Sequence, residues 1–123
     1  MEENESLSTD QKSDLIIDAI REKKGKQLVA IDLSKVENSI CDRFIICHGD
    51  SSTQVGAITE SIEEKLKEIA GIRAHHVEGL RNSQWVLMDF FDILVHIFQE
   101  QYRKFYNLEE LWADGHVMRL DEG

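Results

Sequence analysis

The sequence predicts a single α+β domain, a mixed β-sheet of about five strands flanked by helices. Three observations carry that prediction. Apolar residues recur at three- and four-residue spacing in two segments, one after Ser8 and one after Ser52. Short Val-, Ile- and Phe-rich runs lie between and beyond those segments. Two of these runs are joined by only Asp89 to Asp92, which implies an antiparallel hairpin. At 123 residues the chain fits one domain, and a domain of that size buries roughly two-thirds of the surface its unfolded chain exposes.

Residues 1–7 read as a polar, disordered tail, residues 8–112 as the folded domain, and residues 113–123 as a flexible C-terminal tail. Ser8 or Thr9 can cap the first helix, because a hydroxyl there accepts from an N–H that has no partner inside the helix. Leu15, Ile16, Ala19 and Ile20 form its apolar face, Lys23 and Lys24 suit the negative end of its dipole, and Gly25 fits a left-handed cap. Leu28–Leu33 reads as a strand, and Ser34–Cys41 as a polar connection. Phe44–Cys47 is a second strand, apolar at consecutive positions and therefore suited to cover on both sides.

Gly49–Ser52 turns into the second helix. Val55, Ile58, Ile62, Leu66 and Ile69 make its apolar stripe, and Gly71 ends it. A short strand is expected within Arg73–Glu78, then a loop over Gly79–Ser83. The hairpin follows, with strands over Trp85–Phe90 and Ile93–Phe98. Gln101–Trp112 should form one or two short helical turns anchored by Phe105, Leu108, Leu111 and Trp112.

Charge narrows the function. The chain carries 24 acidic and 14 basic residues, a net charge of −10. Binding a phosphate backbone relies on Lys and Arg, so little direct nucleic-acid contact is expected. A basic protein partner suits the charge better, though acidity also simply keeps a protein soluble. No run approaches the ~20 apolar residues of a membrane-spanning helix. The acidic start, Met1–Asp14, is unlike a signal or transit peptide, so a cytoplasmic location is expected. Cys41 and Cys47 are separated by five residues, and they read as reduced thiols rather than as zinc ligands.

The chemistry-bearing residues give few sites. Gly49-Asp50-Ser51-Ser52 precedes a helix, where anions can bind, but Asp50 is itself negative and a capped helix start explains the segment. Asp89 and Asp92 flank the hairpin turn and could hold magnesium, or could brace the turn through backbone hydrogen bonds. His75 and His76 are consecutive, which in a strand sends them to opposite faces. His96 reads as a histidine filling a sheet position with one hydrogen bond. Trp85 begins a strand after the polar Arg81–Gln84, and either a core position or a partner-facing anchor fits it.

Several motifs carry a resemblance: Ile31-Asp32-Leu33, Ser39–Gly49, Ser52-Thr53-Gln54-Val55, Val77-Glu78-Gly79, Trp85–Asp89, Asp92–Phe98 and Phe105–Trp112. In this order and spacing, over about Ser8–Trp112, they resemble the ribosomal silencing factor family, also called RsfS or Iojap. The resemblance implies a nucleotidyltransferase-like fold without the transferase's chemistry, and hence no enzyme activity, no cofactor and no metal. It also implies a translational repressor that docks on the large ribosomal subunit through the basic ribosomal protein uL-fourteen. There it would block joining of the small subunit, especially when nutrients are scarce. Family members often self-associate, so a homodimer is open.

The resemblance implies a contact surface on the Trp85 strand, drawn from Trp85, Val86, Leu87, Met88 and Asp89, of which only one face can be exposed. Tyr106 and Glu109 near the C-terminal turns are further candidates. Phe91 stands where the family usually has Gly, and it could add an aromatic to that surface. Asp50 replaces a more usual Thr or Asn. The rival expectation is a divergent magnesium-dependent nucleotidyltransferase or nucleotide-binding protein built on Asp89 and Asp92.

Overall fold

The structure, a computed structural model, describes residues 7–111 and 115–120. The first six residues, Trp112–Asp114 and the last three lie outside the described residues, so the tail read before Ser8 and the anchoring role of Trp112 fall largely there. The elements run α1 (Thr9–Glu22), β1 (Lys26–Asp32), β2 (Arg43–Gly49), α2 (Ser52–Ala70), β3 (His76–Glu78), β4 (Trp85–Asp89) and β5 (Ile93–Gln99). They end with α3 (Glu100–Tyr106), α4 (Leu108–Leu111) and β6 (His116–Arg119).

Local chemistry sets the helix ends. Ser8 accepts from the Gln11 backbone N–H at 3.1 Å, and the Gln11 side chain accepts from the Ser8 N–H at 2.9 Å, a reciprocal cap on α1. The left-handed residue after α1 is Lys24 (φ 62°), not Gly25 as the sequence suggests. Gly25 is needed for space instead, since a Cβ there would lie 2.4 Å from Ile20 Cγ2. Ser51 caps α2 by accepting from Gln54 N–H, and Gly71 closes it at φ 70°.

Among the described residues the sheet has six strands in the order β3-β4-β5-β2-β1-β6. The central pair, β2 and β5, is parallel, and every other neighbour is antiparallel. The sixth strand comes from the segment read as a loose tail: His116–Arg119 pairs with β1, with Ile31 opposite Val117. Only its two middle residues, Val117 and Met118, are partly covered, so its apolar signal is short and weak.

One sheet face is covered by α1 and α2. Ile16, Ile20, Ile58, Ile62 and Leu66 pack there against Ile45, Val86, Met88, Val95 and Ile97, all fully buried. Burying an aliphatic side chain of this size is worth about 1.5–3 kcal/mol, so this layer holds most of the fold's apolar driving force. The opposite face gathers Val29, Ile31, Phe44, Ile46, Leu94 and Phe98 under Leu33, Cys41 and Leu108. Of the anchors expected near the C-terminus, Leu108 is buried, whereas Phe105 stands 78% exposed.

Gly79 (φ 91°) lets the β3–β4 loop pass the start of β4, since a Cβ there would lie 2.1 Å from the Trp85 backbone oxygen. Gly79→Ala is therefore expected to lower stability by at least about 2 kcal/mol in urea denaturation. Gly56→Ala in α2, where a Cβ meets nothing within 4 Å, should instead raise it by about 0.5–1 kcal/mol.

Candidate docking face

The two faces of β4 differ. Val86 and Met88 are fully buried against the helices, while Trp85, Leu87 and Asp89 alternate with them and are only partly covered. Val86 and Met88 therefore leave the candidate surface, because the pleat turns them toward α1 and α2. In register, Trp85 faces Phe98, Leu87 faces His96, and Asp89 faces Leu94 on β5. On the other side Glu78 faces Leu87, and His76 faces Asp89.

The helix α3 covers this face mainly over β5 and β2 and leaves β4 partly exposed. Its last residue, Tyr106, is 45% exposed and lies against Trp85, ring centroids 4.6 Å apart. Trp85 also stacks on Phe98 at 5.0 Å, and its indole N–H donates to His96 Nδ1 at 3.1 Å. Phe105 meets Tyr106 edge-on at 5.1 Å. The result is a half-open aromatic cluster at one end of β4, followed along the strand by Leu87 and Asp89.

Phe91 is 69% exposed in the hairpin turn at the other end of β4, on the order of 20 Å from Trp85 at the rise of a strand. It takes a left-handed conformation (φ 74°) that disfavours a bulky side chain. Its ring rests on His75, centroids 4.4 Å apart. Glu109 differs from the other candidates. Its carboxylate accepts from Arg103 Nη2 at 2.6 Å and from Nε at 3.2 Å, so it serves a structural ion pair.

That pair belongs to a cluster the sequence reading missed. Arg103 is 5% exposed and donates also to the Lys26 carbonyl and to His48 Nδ1 at 3.0 Å. Burial, followed by the nearby guanidinium, pulls the His48 pKa below its usual value. Lys26 and His48 lie far from Arg103 in sequence, so no local motif announces the cluster.

The two aspartates of the metal reading are occupied separately. Asp92 accepts from Thr9 Oγ1 at 2.6 Å and from Lys12 Nζ at 2.8 Å, whereas Asp89 accepts from the Phe91 N–H at 2.8 Å. Burial alone would raise the Asp92 pKa, but the bonds from Lys12 and Thr9 outweigh it and hold the carboxyl below its usual range. Among the described residues no group of three or more His, Cys, Asp or Glu is arranged to hold a metal, and no helix is long and apolar enough to cross a membrane. At the turn before α2, Asp50 pairs with Lys26 at 2.8 Å.

An α+β sheet protein with one helix-covered face and one half-open aromatic face is the class this architecture defines. Its closer identity comes from likeness to known proteins. The family model described as "Ribosomal silencing factor during starvation" matches residues 6–123. A ribosomal silencing factor RsfS of Halalkalibacterium halodurans is 36% identical over 115 residues, covering 94% of this chain and 97% of its own. The Bacillus subtilis protein of the same name is 39% identical over 105 residues, covering 85% and 87%. A crystal structure of a Chromobacterium violaceum protein superposes with a TM-score of 0.82 at 37% identity, covering 87% of this chain and 88% of its own. The chain belongs to the ribosomal silencing factor family.

Two measurements probe the face itself. Phe91→Gly should relieve the left-handed strain and raise stability by about 0.5–1 kcal/mol, read as a higher urea midpoint. The second concerns His96, whose pKa burial lowers from 6.5 to about 4. Between those values the unfolded chain binds a proton that the folded chain does not, so stability falls as pH drops through that window. The loss should approach about 3 kcal/mol near pH 4, and His96→Asn should flatten that part of a stability-against-pH curve.

Proposed function

We propose that the protein represses translation by docking on the large ribosomal subunit through the half-open face of β4, so that the small subunit cannot join. Trp85 is the central anchor, with Leu87, Asp89 and Tyr106 around it, and Phe91 extends the contact at the hairpin end. Membership of the silencing family supports a ribosomal role. The observation that carries the choice of face is the Trp85 cluster. A large aromatic side chain is left partly exposed there, on a rigid strand, beside the exposed Tyr106. Aromatic residues in such settings supply most of the binding energy at protein interfaces.

The partner that fits is a basic protein of the subunit-joining surface, and by family resemblance uL-fourteen. Glu78 and Asp89 border Leu87 on this face, within an acidic chain of net charge −10. Such charge favours a basic patch and speeds its capture. Inhibition is by occupancy alone. No bond is made or broken, so affinity and abundance set the effect. Acting on ribosomes would place the protein's work in the cytoplasm.

Trp85→Ala should weaken co-sedimentation with isolated large subunits by about 2 kcal/mol or more, roughly 30-fold, with an unchanged circular dichroism spectrum. Folded Trp85→Ala protein that sediments with the subunit as wild type does would remove this face from consideration.

A further inference from the structure

The Trp85 indole has one polar atom, and among the described residues that atom has one partner, His96 Nδ1 at 3.1 Å. An indole nitrogen can only donate, so Nδ1 must be the bare nitrogen of a neutral imidazole. The proton then sits on Nε2, which is buried and has no hydrogen-bond partner among the described residues. His96 is itself 5% exposed, edge-on to Phe44 at 4.6 Å. An apolar residue would fill such a site without leaving a polar atom unsatisfied. The imidazole's polar function there is therefore its bond to Trp85.

That bond does something the ring contacts cannot. Trp85 is packed on Phe98 and Tyr106, and stacking of this kind tolerates a turned-over indole. The terminal torsion of an aromatic side chain is broad and roughly two-fold, so packing alone leaves alternative orientations available. A single hydrogen bond from the indole edge selects one of them.

Resting on the docking reading above, we infer that His96 is a positioning residue: it fixes the Trp85 indole in one orientation before the partner arrives. His96 has no need to touch the partner. It lies beneath the face, on β5, directly opposite Leu87. The benefit is pre-organisation, since a partner that needs one indole orientation loses affinity by the fraction of molecules not in it.

The test uses the full chain, with ¹⁵N-indole NMR and co-sedimentation with isolated large subunits read side by side. Trp85→Phe assigns the Trp85 indole resonance against that of the second tryptophan, Trp112. In wild type the Trp85 indole proton should exchange about tenfold or more slowly relative to free N-acetyltryptophanamide. His96→Leu should release that proton and weaken large-subunit binding about three- to tenfold. His96→Asn, which places an acceptor oxygen near the Nδ1 position, should restore both to within about twofold.

Each result bears on one claim or the other. An indole proton that exchanges freely in wild type overturns the inference without any variant, so misfolding of His96→Leu cannot shelter it. Failure of His96→Asn to restore protection and binding overturns it in favour of simple packing. If Trp85→Ala weakens binding while His96→Leu, its indole released, binds as wild type, docking stands and the positioning role falls. If Trp85→Ala itself binds normally, the docking reading fails and the inference with it.

Discussion

The central strand pair governs the rest of the molecule. Residues of β2 and β5 are buried on both faces along nearly their whole length. A sheet centre that is apolar above and below must be covered twice, or it would remain an exposed sticky surface. The helices α1 and α2 supply one cover, broad enough to extend over β4 as well. The second cover is small: a seven-residue α3, a single turn of α4 and the connection from Leu33 to Cys41. It seals β2 and β5 and leaves β4 partly bare. The half-open face is thus a consequence of unequal covers, and it needs no dedicated pocket.

So small a second cover requires fastening. An isolated helix of seven residues is unstable in water, because nucleation outweighs the few hydrogen bonds gained. Here Gln99, at the start of α3, makes no side-chain cap. Arg103 compensates by tying α3 to Glu109, to the β1 backbone and to His48 of β2. A buried guanidinium is tolerable only when its donors are met, and breaking such a pair from one side typically costs about 3–5 kcal/mol. Because Tyr106 lies three residues beyond Arg103 on the same short helix, this fastening also sets where Tyr106 meets Trp85. The clip and the candidate face are mechanically one unit.

Much of this was legible in the sequence, for identifiable reasons. The α2 stripe from Val55 to Leu66, the Gly71 stop and the hairpin through Asp89–Asp92 depend on local periodicity and turn chemistry, which a single chain displays openly, although Ile69, read as the last residue of that stripe, is exposed in the final turn of α2. The side of β4 that faces out was not legible, because Trp85, Val86, Leu87 and Met88 are all apolar and alternation carries no signal there. Once β5 is placed opposite, the pairing of Trp85 with Phe98 and Leu87 with His96 gives the answer. The strand β6 was missed because its pairing partner lies 84 to 90 residues upstream and its own apolar content is slight. The Arg103 cluster and the Trp85–His96 bond are tertiary in the same sense. Each joins residues that no local pattern connects.

Charge selects among the residues of the face more sharply than the total of −10 suggests. At physiological salt an exposed charge is felt over about 8 Å. Most of the chain's acidic residues, including those of the α2 surface, therefore speak to solvent rather than to a partner on β4. Those that count lie beside the contact. Glu78 is the direct cross-strand neighbour of Leu87, about 5 Å away, and Asp89 is two residues along the same strand, about 7 Å away. Both sit within one screening length of an apolar centre. That is the arrangement of a small interface with a hydrophobic middle and an acidic rim. At the proposed interface such a rim would act chiefly on encounter rate and on rejection of acidic surfaces, while the aromatic centre would set how long the complex lasts. A factor that works by occupying space depends most on that second quantity. On the proposed docking mechanism, the orientation of one indole would therefore matter more than the size of the net charge.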